Sequence, residues 1–90
     1  MPYVKQELRK NLDKVVEKMN QAGVMADGDL NYVLYKFCLK HVHPSYNSYK
    51  NFIGELNECV AEIRRRILVN YEDKKILENG DVEWLSKQFI

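Results

Sequence analysis

The stretch SYNSYKNFIGELNECVAEIRRRILVNYEDKKILE, residues 45–78, decides how this chain folds. Within it Tyr49, Ile53, Leu56, Val60, Ile63 and Ile67 alternate steps of four and three, the heptad spacing of helices that pair along a seam. At about 1.5 Å rise per residue, a helix over this stretch would be roughly 50 Å long, whereas a compact domain of this size has a radius of gyration of only about 12 Å. One copy cannot cover such a helix, so a homo-oligomer, dimeric or tetrameric, is expected. Gly54 interrupts the seam at a cost of about 1 kcal/mol relative to alanine, which the close approach of another backbone would offset.

Upstream, Leu8, Leu12, Val15, Val16 and Met19 recur at helical spacing among charged residues, predicting an amphipathic helix over about Gln6 to Gln21 that Gly23 breaks. A second helix is expected from about Gly28 to His41, with Leu30, Val33, Leu34, Phe37 and Cys38 on one side and Asp27 or Asp29 available to cap it. His43-Pro44 ends that helix, because the residue before proline is pushed out of the α region, and Ser45 is placed to cap the next. Downstream, Asn79-Gly80 closes the long helix. The tail from Asp81 to Ile90 carries Val82, Trp84, Leu85, Phe89 and Ile90, enough for a short docking helix or an arm laid on a partner. No segment alternates as a strand would. The expected fold is all-α: a single domain over residues 1–90, with short helices packed on one long C-terminal helix.

Fourteen basic and 13 acidic side chains give a net charge of +1, which removes the general positive field expected of a protein that grips duplex nucleic acid. Any anion site must therefore be local. Cys38 and Cys59 both fall inside helical patterns and read as reduced, packed thiols of an intracellular protein. No apolar run approaches the roughly 18 residues that span a bilayer, and Met1-Pro2-Tyr3-Val4-Lys5 lacks the apolar core of a secretion signal, so a soluble cytoplasmic location is expected.

The local candidates for chemistry follow from the seam. With Val60 and Ile67 at a and Ile63 at d, Arg64 and Arg66 flank the seam and Arg65 lies on the outer face. Such arginines commonly form interhelical salt bridges, here with Glu58 or Glu62 as mates. The alternative is a phosphate site, since guanidinium forks match phosphate oxygens and a two-fold interface would duplicate them for a ligand with two phosphates. Tyr71-Glu72-Asp73-Lys74-Lys75, followed by Asn79-Gly80-Asp81, reads either as a solvated helix end or as a base-recognition element in which tyrosine stacks and Asn or Asp bonds base edges. Tyr3, Tyr32 and Tyr71 are the tyrosines least explained by the apolar stripes. Cys38, His41 and His43 lack the fourth ligand of a closed zinc site and read as packing residues, so no metal and no cofactor is expected. There is no glycine-flanked nucleophilic serine, no phosphate-cradling glycine loop and no HExxH, so the chain does not read as an enzyme.

Pro2-Tyr3-Val4, Gly28-Asp29-Leu30-Asn31-Tyr32-Val33, Ser45-Tyr46, Ile53-Gly54, Glu62 with Arg65 and Arg66, Tyr71-Glu72-Asp73-Lys74-Lys75 and Glu78-Asn79-Gly80-Asp81-Val82 together resemble a family of small phage and prokaryotic proteins. The resemblance runs nearly end to end and connects the chain with the anti-CBASS nucleotide sponges. Members of that group assemble as oligomers and sequester cyclic dinucleotides such as 3′,3′-cyclic GMP-AMP without cleaving them. The resemblance implies a phage-encoded immune-evasion protein acting in the host bacterial cytoplasm. It also implies phosphate and base contacts from Arg65, Arg66, Tyr71, Lys74 and Lys75, with Tyr3, Asn31 and Tyr32 contributing from a neighbouring chain. The chain departs from the pattern at Arg64, where an aromatic is expected, and at Asn70, where proline is usual. A helical interaction module that binds a protein partner through the seam and the Trp84–Ile90 tail is the alternative. A regulator of single-stranded nucleic acid is disfavoured by the near-neutral charge.

Overall fold

The computed structural model describes residues 4–82, and these are helical apart from short connections, with no strand among them. The elements are α1 (Gln6–Gln21), α2 (Gly28–His41), α3 (Tyr46–Ile63), a π-helical turn (Arg64–Leu68) and α4 (Val69–Asn79). Ile63, Leu68 and Val69 all keep right-handed helical backbone angles, so the last three elements form one uninterrupted helical run, the long C-terminal helix. The described residues divide into two units between Asn57 and Glu58.

In the first unit, the chain's own turn chemistry sets each helix end. α1 stops in a Schellman arrangement: Val24 N–H donates to the Met19 carbonyl and Gly23 N–H to that of Asn20, both at 3.0 Å, with Gly23 at φ 76°. An L side chain resists that φ, so Gly23→Ala is expected to cost about 1 kcal/mol, read as a lower urea midpoint with an unchanged m-value. Asp27 rather than Asp29 caps α2, its Oδ1 accepting from Asp29 N–H at 2.9 Å, while Asp29 Oδ2 accepts from Met25 N–H at 3.3 Å. The first bond satisfies a first-turn amide left open by helix geometry, and the second ties the preceding loop to the helix start. Val42, with extended angles, ends α2, and Ser45 Oγ accepts from Ser48 N–H at 3.1 Å to start α3.

Packing in this unit is shallow. Met19, Val24, Leu30, Val33, Leu34, Cys38, Phe52 and Leu56 are half-buried, and the rings of Phe37 and Phe52 stack at 6.2 Å between α2 and the start of α3. The apolar stripe of α1 has no cover: Leu8, Leu12, Val15 and Val16 are all exposed. Among the described residues no side chain is fully buried. The Cys38 and Cys59 thiols are free, the first half-buried and the second exposed, so the packed environment expected of Cys59 is not found.

In the second unit, the π turn is the feature that departs from a uniform heptad. Val69 N–H donates to the Arg64 carbonyl, an i→i+5 bond that takes one more residue into the turn than an α-helix does. One extra residue shifts the helical phase by about 100°, so a seam read through Val60 and Ile63 does not project unchanged onto Ile76 and Leu77. Asn70 ties the end of the turn back with its Nδ2, which donates to the Arg66 carbonyl at 2.8 Å. Gly80 closes α4 at φ 84°, ψ 152°, and its N–H donates to the Ile76 carbonyl at 2.8 Å. That pairing of angles lies outside the left-handed helical well, in territory essentially restricted to glycine. No helix among the described residues is long and apolar enough to cross a membrane.

Candidate functional site

Five of the eight sequence-derived candidates lie in the second unit, on the π turn and the first turns of α4. Arg65 and Arg66, at the start of the π turn, lie three and four residues beyond Glu62, so both can reach back to its carboxylate. Arg65 Nη2 donates to Glu62 Oε1 and to Oε2, each at 3.0 Å, and Arg66 Nη1 lies 3.8 Å from Oε2. The arginine side chains are 64% and 59% exposed, whereas Glu62 is only 12% exposed. Glu62, a candidate mate for an interhelical bridge, pairs within its own helix here, because three- and four-residue spacing is the spacing at which helical side chains meet. Ion pairs at three- and four-residue spacing on a helix contribute only about 0.3–0.5 kcal/mol to stability. The triad's main consequence is therefore geometric: two cationic forks are held side by side.

About two turns further on, Tyr71, Lys75 and Glu78 line one face of α4. Lys75 Nζ sits 5.6 Å from the centre of the Tyr71 ring and 3.1 Å from Glu78 Oε2. A cation over an exposed ring is worth about 0.5–1 kcal/mol, so a nucleobase that stacks on Tyr71 competes against little. Lys74 makes no ion pair among the described residues. Arg65, Arg66, Tyr71, Lys74 and Lys75 thus supply, over about 15 Å of helix, guanidinium forks, a stacking ring and two ammonium groups.

The remaining candidates fall elsewhere. Asn31 and Tyr32 belong to α2 in the first unit, where Lys36 Nζ lies 5.8 Å from the Tyr32 ring centre. Tyr32 is exposed, as a stacking role requires. Tyr3 lies outside the described residues, as do Trp84, Leu85, Phe89 and Ile90 of the expected tail. His41 packs its ring 5.5 Å from that of Phe37, and no group of three or more His, Cys, Asp or Glu among the described residues could hold a metal ion.

Sequence reasoning did not assign Lys36 or Glu78, and it did not pair Glu62 with Arg65 and Arg66 of its own helix. The signals were present as four-residue Tyr–Lys spacing at 32/36 and three-residue Lys–Glu spacing at 75/78. Compared with known proteins, residues 1–82 match the model of a family described as a domain of unknown function, DUF6899. No curated protein and no solved structure matches the chain.

Proposed function

Starting from the chain's membership of the DUF6899 family, we propose that it is a phage-encoded immune-evasion protein that sequesters cyclic dinucleotides, such as 3′,3′-cyclic GMP-AMP, without cleaving them. The observation that carries this reading is the coupling of Arg65 and Arg66 to one carboxylate, followed by the Tyr71–Lys75 pair on the same helical run. A cyclic dinucleotide has two phosphodiesters and two bases, and this segment offers two guanidinium forks and a stacking ring flanked by ammonium groups. In a homo-oligomer each element is duplicated, which suits a ligand of near two-fold symmetry. Asn31 and Tyr32, and Tyr3 beyond the described residues, are assigned to a neighbouring copy. The protein works in the host cytoplasm as a stoichiometric trap, without metal or cofactor. To outcompete a receptor it must bind with a nanomolar dissociation constant, about −12 kcal/mol.

A second reading has its own support. Leu77 on α4 is 87% exposed and Ile67 on the π turn 65%, surfaces that a protein partner could cover in a helical interaction module. One experiment separates the two: titrate the purified protein with a panel of cyclic and linear nucleotides, then heat-denature it and identify what is released. Release of intact cyclic dinucleotide is the expected result. Release of a linear product would establish a phosphodiesterase, and absence of binding across the panel would leave the protein-partner reading.

A further inference from the structure

Among the described residues of the second unit, Glu62 is the one side chain that is not exposed. It is an unusual choice for that distinction, since charged residues are the last to be withdrawn from water unless they are paired. It is paired with Arg65 and Arg66. Arg65 takes both carboxylate oxygens through a single nitrogen, and Arg66 approaches Oε2 with Nη1 alone, which leaves the Nε–H and Nη2 donors of the Arg66 fork without a partner among the described residues. An arginine side chain has many rotamers, and ordering two of them at the moment of ligand capture would weaken binding.

We propose that Glu62 is a positioning residue that splints Arg65 and Arg66 in one fixed relation, so that the site selects a ligand with two phosphate groups over one with a single phosphate. The inference rests on the nucleotide-binding reading above. The carboxylate lowers the charge of the trio from +2 to +1, so it weakens unselective attraction of anions while it orders the donors. Affinity for a single phosphate is given up in exchange for discrimination between phosphates by spacing.

The test is Glu62→Gln, which keeps length and helix propensity and removes the charge. In the ligand-free protein, guanidinium rotation of Arg65 and Arg66, followed by side-chain NMR, is expected to quicken. Affinity for 3′,3′-cyclic GMP-AMP is expected to fall about tenfold while affinity for inorganic phosphate stays level or rises, so their ratio drops by at least tenfold. A merely structural role for Glu62 would lower helicity and weaken both ligands together. Unchanged arginine dynamics, or an unchanged ratio of affinities, overturns the proposal. If wild-type protein does not bind the cyclic dinucleotide at all, the nucleotide reading falls, and the splint is still judged by the dynamics of the two arginines.

Discussion

Arg65→Glu/Arg66→Glu is expected to weaken cyclic dinucleotide binding by between a hundredfold and ten thousandfold. Hydrogen bonds to charged groups contribute about 1.5–3 kcal/mol each, so losing one phosphate contact from each arginine removes about 3–6 kcal/mol of a binding energy near −12 kcal/mol. Reversal also sets two new carboxylates beside Glu62, where three- and four-residue like-charge pairs destabilise a helix by only about 0.2–0.5 kcal/mol each. The effect on binding should therefore exceed the effect on folding by several kcal/mol. Isothermal titration calorimetry reads the first and circular dichroism the second. A variant that keeps wild-type helicity and full nucleotide affinity would remove the two arginines from the site. Salt provides an internal check: if both arginines meet phosphate, the wild type loses affinity more steeply with ionic strength than the variant does.

The parts of this site that were legible in the sequence are those whose chemistry is local. Tyr71 and Lys75 meet because four residues separate them on a helix, and Ser45 caps α3 because a hydroxyl before a helix accepts from an amide three residues on. The helix ends were readable for the same reason: Gly23, Pro44 and Gly80 each impose a backbone constraint that no distant contact needs to supply. The π turn was not readable. Arg64-Arg65-Arg66-Ile67-Leu68 consists of good or tolerable α-helix formers, so propensity gives no warning of an i→i+5 bond. A uniform heptad put Arg66 on the flank of a seam and gave no account of its spacing from Glu62, which joins the two within one helix. Asn31 and Tyr32 illustrate the other limit. They were linked to the arginines through the resembling family, and no local spacing along the chain joins residues 31 and 32 to residues 65–75, which belong to a different unit.

The second large effect concerns association. Folding a chain costs about 1–2 kcal/mol of backbone entropy per residue, and burial of apolar surface, at about 25 cal/mol per Å², is the main term that offsets it. Here 46% of residues are hydrophobic, yet no described side chain is fully buried, and isolated helices of this length are marginal in water. On the proposed reading this surface is covered by other copies, in which case dissociation and unfolding become one transition. For a 90-residue dimer, with an unfolding enthalpy of about 0.7 kcal/mol per residue, each tenfold dilution is expected to lower Tm by about 4 °C, measured by calorimetry or circular dichroism over a hundredfold range of concentration. Ile63→Asp sharpens the test. In a lone helix, where Ile63 is 48% exposed, an apolar-to-polar change falls within about 0.5 kcal/mol of neutral. In a seam between copies, the same change removes about 1.5–3 kcal/mol of burial and leaves a carboxylate to be desolvated as well, so the oligomer should be lost at micromolar concentration. A Tm independent of concentration, together with an Ile63→Asp variant as stable as wild type, would mean that single chains stand alone. The arginines, the Tyr71–Lys75 pair and the α2 residues would then have no neighbouring copy through which to complete a two-fold site.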